Sequence, residues 1–473
     1  MAIAPQATLK FSARKVPAAK RVLSRGRPSG KSLCNMKSTM ARRLLSVLFV
    51  VPWTALAAPA PELVVTPQNP NATYQVGEKI EWRVTLRGGE SASLRDGAFV
   101  LKKGGAATVG QGKLEFTGGM ATVSAALAEP GTILAEISAK TAGGPEFKAL
   151  GGAAVAPEQI KVSAPCPEDF DAFWKAKIEE LAKVPANPVL TSGASGKENV
   201  DYWKITMDNI RGTKSRGQLA RPARGEKLPA MFIVQCAGVY GLPKGNVTGP
   251  AAEGWLVLNL NAHDLPIDEP ESFYQEQAAG PLKNYTAIGN DDREKSYFLR
   301  MFLSCHRAVE YLAGRPDWDG RTLMVTGTSQ GGLQTFVTAG LNPKVTAMCA
   351  LVPAGCDNTA TLGSRKPGWP YWMSSVGGRD PAKALETSKY FDAVNFAARV
   401  KCPALVGLGL IDVTSPPSGV FAACNQLRGP KEIVVLPGSD HKGKNNTQAP
   451  YRVREQAWRK ALVVGNPPPL PAK

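Results

Sequence analysis

The sequence predicts an α/β protein, with a mostly parallel sheet covered by helices on both faces, preceded by a small all-β domain of immunoglobulin-like type. Three observations carry this. Beyond residue 157, short apolar runs alternate with amphipathic runs of helical period, the rhythm of strands joined by helical crossovers. Between about residues 60 and 155, apolar residues alternate singly with polar ones, separated by Gly- and Pro-containing turns. Residues 321–332 read as a buried strand, a sharp Gly-rich turn and the start of a helix. At 473 residues the chain has room for two such units.

The first 57 residues read as a leader. The first 43 contain 11 Lys and Arg and no acid, so +7 of the net +18 belongs to the rest. That remainder has no basic patch interleaved with aromatics, which argues against a nucleic-acid partner. Arg42-Arg43, the apolar run 44–56 and the small-x-small triplet Ala55-Leu56-Ala57 have the layout of a secretory signal. The chain is therefore expected to be secreted or periplasmic, without a stable membrane anchor after cleavage. Its apolar run is too short to span a bilayer. The residues ahead of Met36 and Met40 are basic and aperiodic, so the start is expected at one of these methionines. Eight cysteines are scattered without a C-x-x-C or a zinc-like His spacing, and neither metal nor cofactor is expected. Loss of Cys34 with the leader leaves seven, hence at least one free thiol in a monomer. A bridge among Cys349, Cys356, Cys402 and Cys424 is not deducible.

In the all-β part, Ile80, Trp82, Val84 and Leu86 alternate with Lys79, Glu81, Arg83 and Thr85, the pattern of a half-buried strand. Further strands are expected at 98–102, 122–127 and 132–138. This part, residues 60–155, holds no cluster of nucleophile, base and acid, so it reads as a structural or docking module. The Gly- and Ala-rich run 143–157 reads as the boundary, and a chain beginning near Pro157 is expected to keep the chemistry. The catalytic part, 157–473, opens with Pro167-Glu168-Asp169, a good helix start, after which Phe170, Phe173, Trp174, Ile178 and Leu181 share a face. Strands follow at 230–235 and 255–261, then a helix at 296–312 with Tyr297, Met301, Cys305 and Leu312 inward. Strands at 345–352, 404–410 and 432–436 complete the series.

The chemistry centres on Gly327-Thr328-Ser329-Gln330-Gly331-Gly332. Small residues two positions either side of a serine are what a strand-to-helix nucleophile elbow requires. Serine needs a base, and the base an orienting acid. Only His263, His306 and His441 are available. His306 lies within the amphipathic helix and reads as structural. His263 ends a strand on the edge where sites form, but precedes the serine. It is assigned a substrate contact. His441 follows the last strand and is the base by position and elimination. Asp412 follows the strand ending at Leu410 and is the acid, with Asp440 the rival. The order Ser329, Asp412, His441 is that of the α/β-hydrolase fold. Two backbone donors should form an oxyanion hole: Gln330, directly after the nucleophile, and Val239 in the loop 236–241, with Tyr240 the alternative. The insertion between 352 and 404 carries Trp369, Tyr371 and Trp372, read as sugar-facing aromatics or as packing within a cap.

With these residues in place, residues 157–465 resemble the acetyl xylan esterase and cephalosporin C deacetylase family of α/β-hydrolases. The resemblance rests on Pro167 to Trp174, Ser329-Gln330-Gly331-Gly332, Gly409-Leu410-Ile411-Asp412 with Pro416-Pro417, and His441. It implies cofactor-free hydrolysis of acetyl esters on carbohydrates or small molecules, with Ser329, Asp412 and His441 as triad and Gln330 and Val239 as oxyanion donors. Three departures stand out. The family's His-Gly-Tyr is here Ala237-Gly238-Val239, its Arg-Gly-Gln is Ala262-His263-Asp264, and its His-Glu is His441-Lys442. Arg216-Gly217-Gln218 lies on an earlier strand and is set aside as coincidence. These changes leave substrate range and oligomeric state open. A serine peptidase of the prolyl oligopeptidase type, a carboxylesterase of the dienelactone hydrolase type and a silent carbohydrate-binding scaffold are the competing readings.

Overall fold

The computed structural model describes residues 60–89, 94–141, 143–374 and 379–471. The expected signal segment and Cys34 lie outside the described residues. Eight strands form the N-terminal part: β1 (Glu62–Pro67), β2 (Thr73–Tyr74), β3 (Ile80–Arg87), β4 (Leu94–Lys103), β5 (Ala107–Leu114), β6 (Ala121–Ala125), β7 (Gly131–Thr141) and β8 (Glu146–Val155). They build one sheet in the order β1-β3-β6 and a second in the order β2-β8-β7-β4-β5. The alternation in β3 sets its inward face: Ile80, Trp82, Val84 and Leu86 are buried while Arg83 and Arg87 face solvent. Ile133, Ala135, Ile137 and Ala139 on β7 supply the buried face of the second sheet. The two sheets meet where Trp82 Nε1 donates to the Gly152 carbonyl at 3.2 Å.

The run read as a boundary, 143–157, is largely strand β8. Its glycines serve close packing. A Cβ on Gly151 would lie 2.7 Å from Val65 Cγ1 and 3.0 Å from Trp82 Cδ1, and one on Gly152 would lie 2.5 Å from Leu410. Small residues that resemble a linker in composition are here squeezed between Trp82 of the sandwich and Leu410 of the part that follows.

Nine strands form the second architecture: β9 (Val189–Gly193), β10 (Val200–Asp208), β11 (Lys214–Pro222), β12 (Leu228–Val234), β13 (Leu256–Leu260), β14 (Trp318–Thr328), β15 (Ala347–Leu351), β16 (Ala404–Gly409) and β17 (Lys431–Leu436). They lie in one sheet, in the order β17-β16-β15-β14-β12-β13-β11-β10-β9. The six strands from β12 to β17 pair in parallel, and β9 to β11 extend the sheet antiparallel. Both faces are covered, and the strands are apolar on both. Leu256 and Leu258 face one core and Val257 the other; Val406 and Leu405 divide in the same way. On the first face lie α1 (Phe170–Ala182), α4 (Tyr297–Ala313), α5 (Gln330–Leu341), α7 (Ala393–Ala397) and α8 (Pro417–Gln426). On the second lie α2 (Gly245–Ala252) and α9 (Ala449–Val463), through Val247, Ala251, Tyr451, Trp458 and Leu462. The remaining helices are α3 (Glu271–Ala279) and α6 (Pro381–Tyr390). Among the described residues no helix is long and apolar enough to cross a membrane. The seven described cysteines, including Cys349, Cys356, Cys402 and Cys424, are free thiols.

The described residues from Ala60 onward form one compact unit, and the buried apolar residues of the sandwich run without a break into those of the first helical face. Asn425 Nδ2 also donates to the carbonyls of Pro157 and Ile160, at 2.8 and 2.9 Å, fastening α8 to the end of the sandwich. Deleting residues 60–155 would therefore uncover apolar surface at Leu410 and α8. Such a protein is expected to melt at least about 10 °C below the full chain. An unchanged melting temperature by circular dichroism would show the two parts to be separable after all.

Candidate active site

Ser329 stands between β14 and α5 with φ 59° and ψ −120°, a backbone region that residues with a Cβ occupy only under constraint. The constraint is packing. A Cβ on Gly327 would lie 2.5 Å from the Gly331 backbone, and one on Gly331 would lie 2.8 Å from the Val234 carbonyl oxygen. The turn is also bonded to the neighbouring strand: Ser329 N–H donates to Leu351 O and Ala354 N–H donates to Ser329 O, both at 3.0 Å. The side chain is thereby lifted above the C-terminal edge of the sheet.

Ser329 Oγ donates to His441 Nε2 at 2.8 Å, and His441 Nδ1 donates to Asp412 Oδ2 at 2.7 Å. A carboxylate can only accept, so the proton sits on Nδ1 and the Nε2 lone pair faces the serine. Asp412 is fully buried at the side chain, while His441 keeps 20% of its exposure. The second carboxylate oxygen accepts from Thr414 N–H and Ser415 N–H, both at 2.8 Å, so the acid is held by its own loop. The loops after β16 and β17 touch at backbone level: a Cβ on Gly409 would lie 2.2 Å from Ser439 O. Asp440 turns away, its Oδ1 accepting from Lys442 N–H and Lys444 N–H at 3.1 Å.

The loop after β12 is fixed from behind. Gln235 Nε2 and Asn261 Nδ2 both donate to Tyr240 O, at 3.0 and 3.2 Å. His263 does not face the cleft. It is 1% exposed, with Nε2 at 3.0 Å from Gly238 O and Nδ1 at 2.6 Å from the Tyr297 hydroxyl. A carbonyl only accepts, so Nε2 carries the proton. Nδ1 then accepts from Tyr297, whose oxygen accepts in turn from Arg300. The donors run one way, from Arg300 through Tyr297 and His263 to Gly238. In a trans peptide the C=O and the following N–H point in opposite directions. Drawing the Gly238 carbonyl inward therefore turns the Val239 N–H outward. Gln330 occupies the first turn of α5, where backbone N–H groups lack intrahelical partners. Its side chain accepts from the Tyr285 hydroxyl at 2.5 Å. Neither Tyr285 nor Tyr297 stands in a pattern that sequence reading marks as functional.

The expected substrate contacts need correction at two positions. His263 is committed on both ring nitrogens. Trp372 is 3% exposed, donates from Nε1 to Asn290 O at 2.7 Å and stacks on Phe391 and Phe298, so it packs the core. Trp369 is half-buried, edge-on to Phe298, with its backbone N–H bonded to Thr414 O at 2.8 Å, and Tyr371 is exposed. The Arg216-Gly217-Gln218 string set aside as coincidence packs against β13 and the Asp264 that follows His263. Arg216 Nε donates to Asp264 Oδ1 at 2.8 Å, and a Cβ on Gly217 would lie 2.3 Å from Asn259 O.

A serine on a strand-to-helix elbow, bonded through histidine to a buried aspartate at the C-terminal edge of a mostly parallel sheet, defines a serine hydrolase of the α/β-hydrolase class. The sequence model of the acetyl xylan esterase family matches residues 158–460. The chain belongs to that family. Over 291 residues it is 33% identical to an acetyl esterase, Axe7A, of Xylanibacter ruminicola, a match covering 60% of this chain and 66%, just under two thirds, of that protein. The fold is shared with an acetyl xylan esterase from Paenibacillus sp. R4 at 24% identity and TM-score 0.54, over 63% of this chain and 98% of that one. It is shared also with acetyl xylan esterase 1 from Thermoanaerobacterium sp. at 21% identity and TM-score 0.53, over 63% and 96%.

Burial pushes His263 down to about 4 from 6.5, with the Gly238 bond opposing and Arg300 adding to the shift. A histidine held neutral in the fold loses stability as pH falls, because only the unfolded chain takes up the proton between those two values. Thermal midpoints of the wild type should therefore decline from about pH 6.5 to about pH 4, with no further decline from this residue below that. His263→Phe should lack this component. Parallel profiles for the two proteins, measured by circular dichroism, would refute the assignment.

Proposed function

We propose that this chain is a serine esterase that removes acetyl groups from carbohydrate, exported from the cell by the basic and apolar segment 42–57. The unbroken hydrogen-bonded chain Ser329–His441–Asp412, at 2.8 and 2.7 Å in a member of the acetyl xylan esterase family, carries the reading. In this mechanism Ser329 Oγ attacks the acetyl carbonyl while His441 Nε2 takes its proton. Asp412 orients the imidazole and stabilises its charged form. The oxyanion is met by N–H groups of Gln330 and Val239. His441 then protonates the departing sugar oxygen, leaving an acetyl group on Ser329. Water enters, His441 removes its proton, and acetate leaves as the serine is restored. A peptidase of the prolyl oligopeptidase type is disfavoured, since the N-terminal part is an eight-stranded sandwich rather than a propeller.

Hydrolysis of p-nitrophenyl acetate and of acetylated xylan tests this reading. Ser329→Ala and His441→Ala should each lower kcat about 10³-fold or more, and Asp412→Asn somewhat less. His263→Phe should lower kcat about 10- to 100-fold with little change in KM, as expected when an oxyanion donor is misaimed. Near-normal turnover in His441→Ala would overturn the assignment of the base. EDTA should leave the rate unchanged.

A further inference from the structure

The sandwich has no place in the mechanism above, yet it bears on the loop that carries Asp412. On β8, Gly152 meets Leu410 at backbone distance: a Cβ there would lie 2.5 Å from both Leu410 Cβ and Leu410 O, two residues before the acid. The crevice along this seam holds only about 10 Å³, between Gly104, Thr132 and Leu134 of the sandwich and Leu410, Asp412 and Pro416 of the loop. That is at most the room for one water molecule. The other side of the loop is closed by the insertion after β15. Trp369 N–H donates to Thr414 O, and Lys366 N–H donates to Gly104 O, at 2.8 and 2.9 Å. Loop, insertion and sandwich are thus mutually wedged. Because Asp412 Oδ1 is held by the amides of Thr414 and Ser415, the carboxylate moves wherever this loop moves.

We propose that the β-sandwich is a positioning element for the catalytic acid, with Gly152 and Leu134 bearing on the 410–416 loop so that Asp412 stays aligned with His441. The proposal rests on the reading of Asp412 as the triad acid. A displacement of about 1 Å at such a site is enough to cost two orders of magnitude in rate. Gly152 is thus a positioning residue that acts through Asp412.

The test is a mutant cycle on the full chain with p-nitrophenyl acetate. Gly152→Val forces its side chain onto Leu410. It should lower kcat about 10- to 100-fold while KM changes less than about threefold. In an Asp412→Asn background, Gly152→Val should cost less than about threefold more, since the group it acts through is already lost. Gly97→Ala crowds Phe116 and Leu114 inside the sandwich, away from the seam, and should leave kcat within about threefold of wild type. Should Gly152→Val fail to fold, Leu134→Ala loosens the same seam and should lower kcat by less, again with KM little changed. The proposal is overturned if folded Gly152→Val, or in its place Leu134→Ala, leaves kcat unchanged or changes KM as much as kcat. It is equally overturned if its cost is fully additive with Asp412→Asn. Near wild-type activity in Asp412→Asn alone would instead refute the triad reading on which the proposal stands.

Discussion

Everything at this site hangs on the left-handed backbone of Ser329. A residue with φ 59° and ψ −120° is unfavourable by itself, and costs of order 1–3 kcal/mol. It persists because Gly327 and Gly331 pack against each other and against Val234 at distances that admit no Cβ on either glycine, and because Leu351 and Ala354 take up its amide and carbonyl. The turn makes β14 end and α5 begin within one residue. That single reversal lifts Oγ out of the sheet and brings the first N–H groups of α5 beside it. His441 and Asp412 then need only follow from neighbouring strands of the same parallel sheet, and β16 and β17 deliver them side by side.

The chemistry was legible in the chain because its residues are rare and ordered. Three histidines, one elbow serine and two aspartates after late strands, Asp412 and Asp440, left few assignments open. The parallel strands were legible because strands buried on both faces must be apolar throughout. What escaped had a different physical origin. Strand β9 is exposed along its whole length and lacks an apolar signature. Strand β8 contains Gly151 and Gly152, which depress strand propensity while serving close packing against Trp82 and Leu410. Trp372 and His263 were misread because residue type alone does not say which way a side chain faces. Both are buried in the core.

The oxyanion side shows how a divergent motif can be held together. Ala237-Gly238-Val239 offers no polar side chain of its own, and the loop is gripped instead through its carbonyls. The Gly238 oxygen is taken by His263, and that of Tyr240 by Gln235 and Asn261. Because these bonds fall on the peptide backbone, the side chains of Ala237 and Val239 are released from positioning duty, while the Tyr240 hydroxyl donates to Cys236 O at 3.3 Å. His263 must stay neutral for its Nδ1 to accept from Tyr297, and the apolar, buried setting keeps it so.

The meeting of Gly152 with Leu410 also has a meaning in time. The two residues are 258 positions apart (410 − 152), and a chain made from its N-terminus completes the sandwich long before Leu410 exists. Until β16 and β17 join the sheet, the Leu410-facing side of β8 has nothing to rest on, and the apolar seam lies open. The early half of the molecule therefore waits for the late half. Closing so distant a contact is slow compared with forming a local hairpin. Because Asp412 follows β16 and His441 follows β17, hydrolytic competence requires these last strands and cannot precede their synthesis.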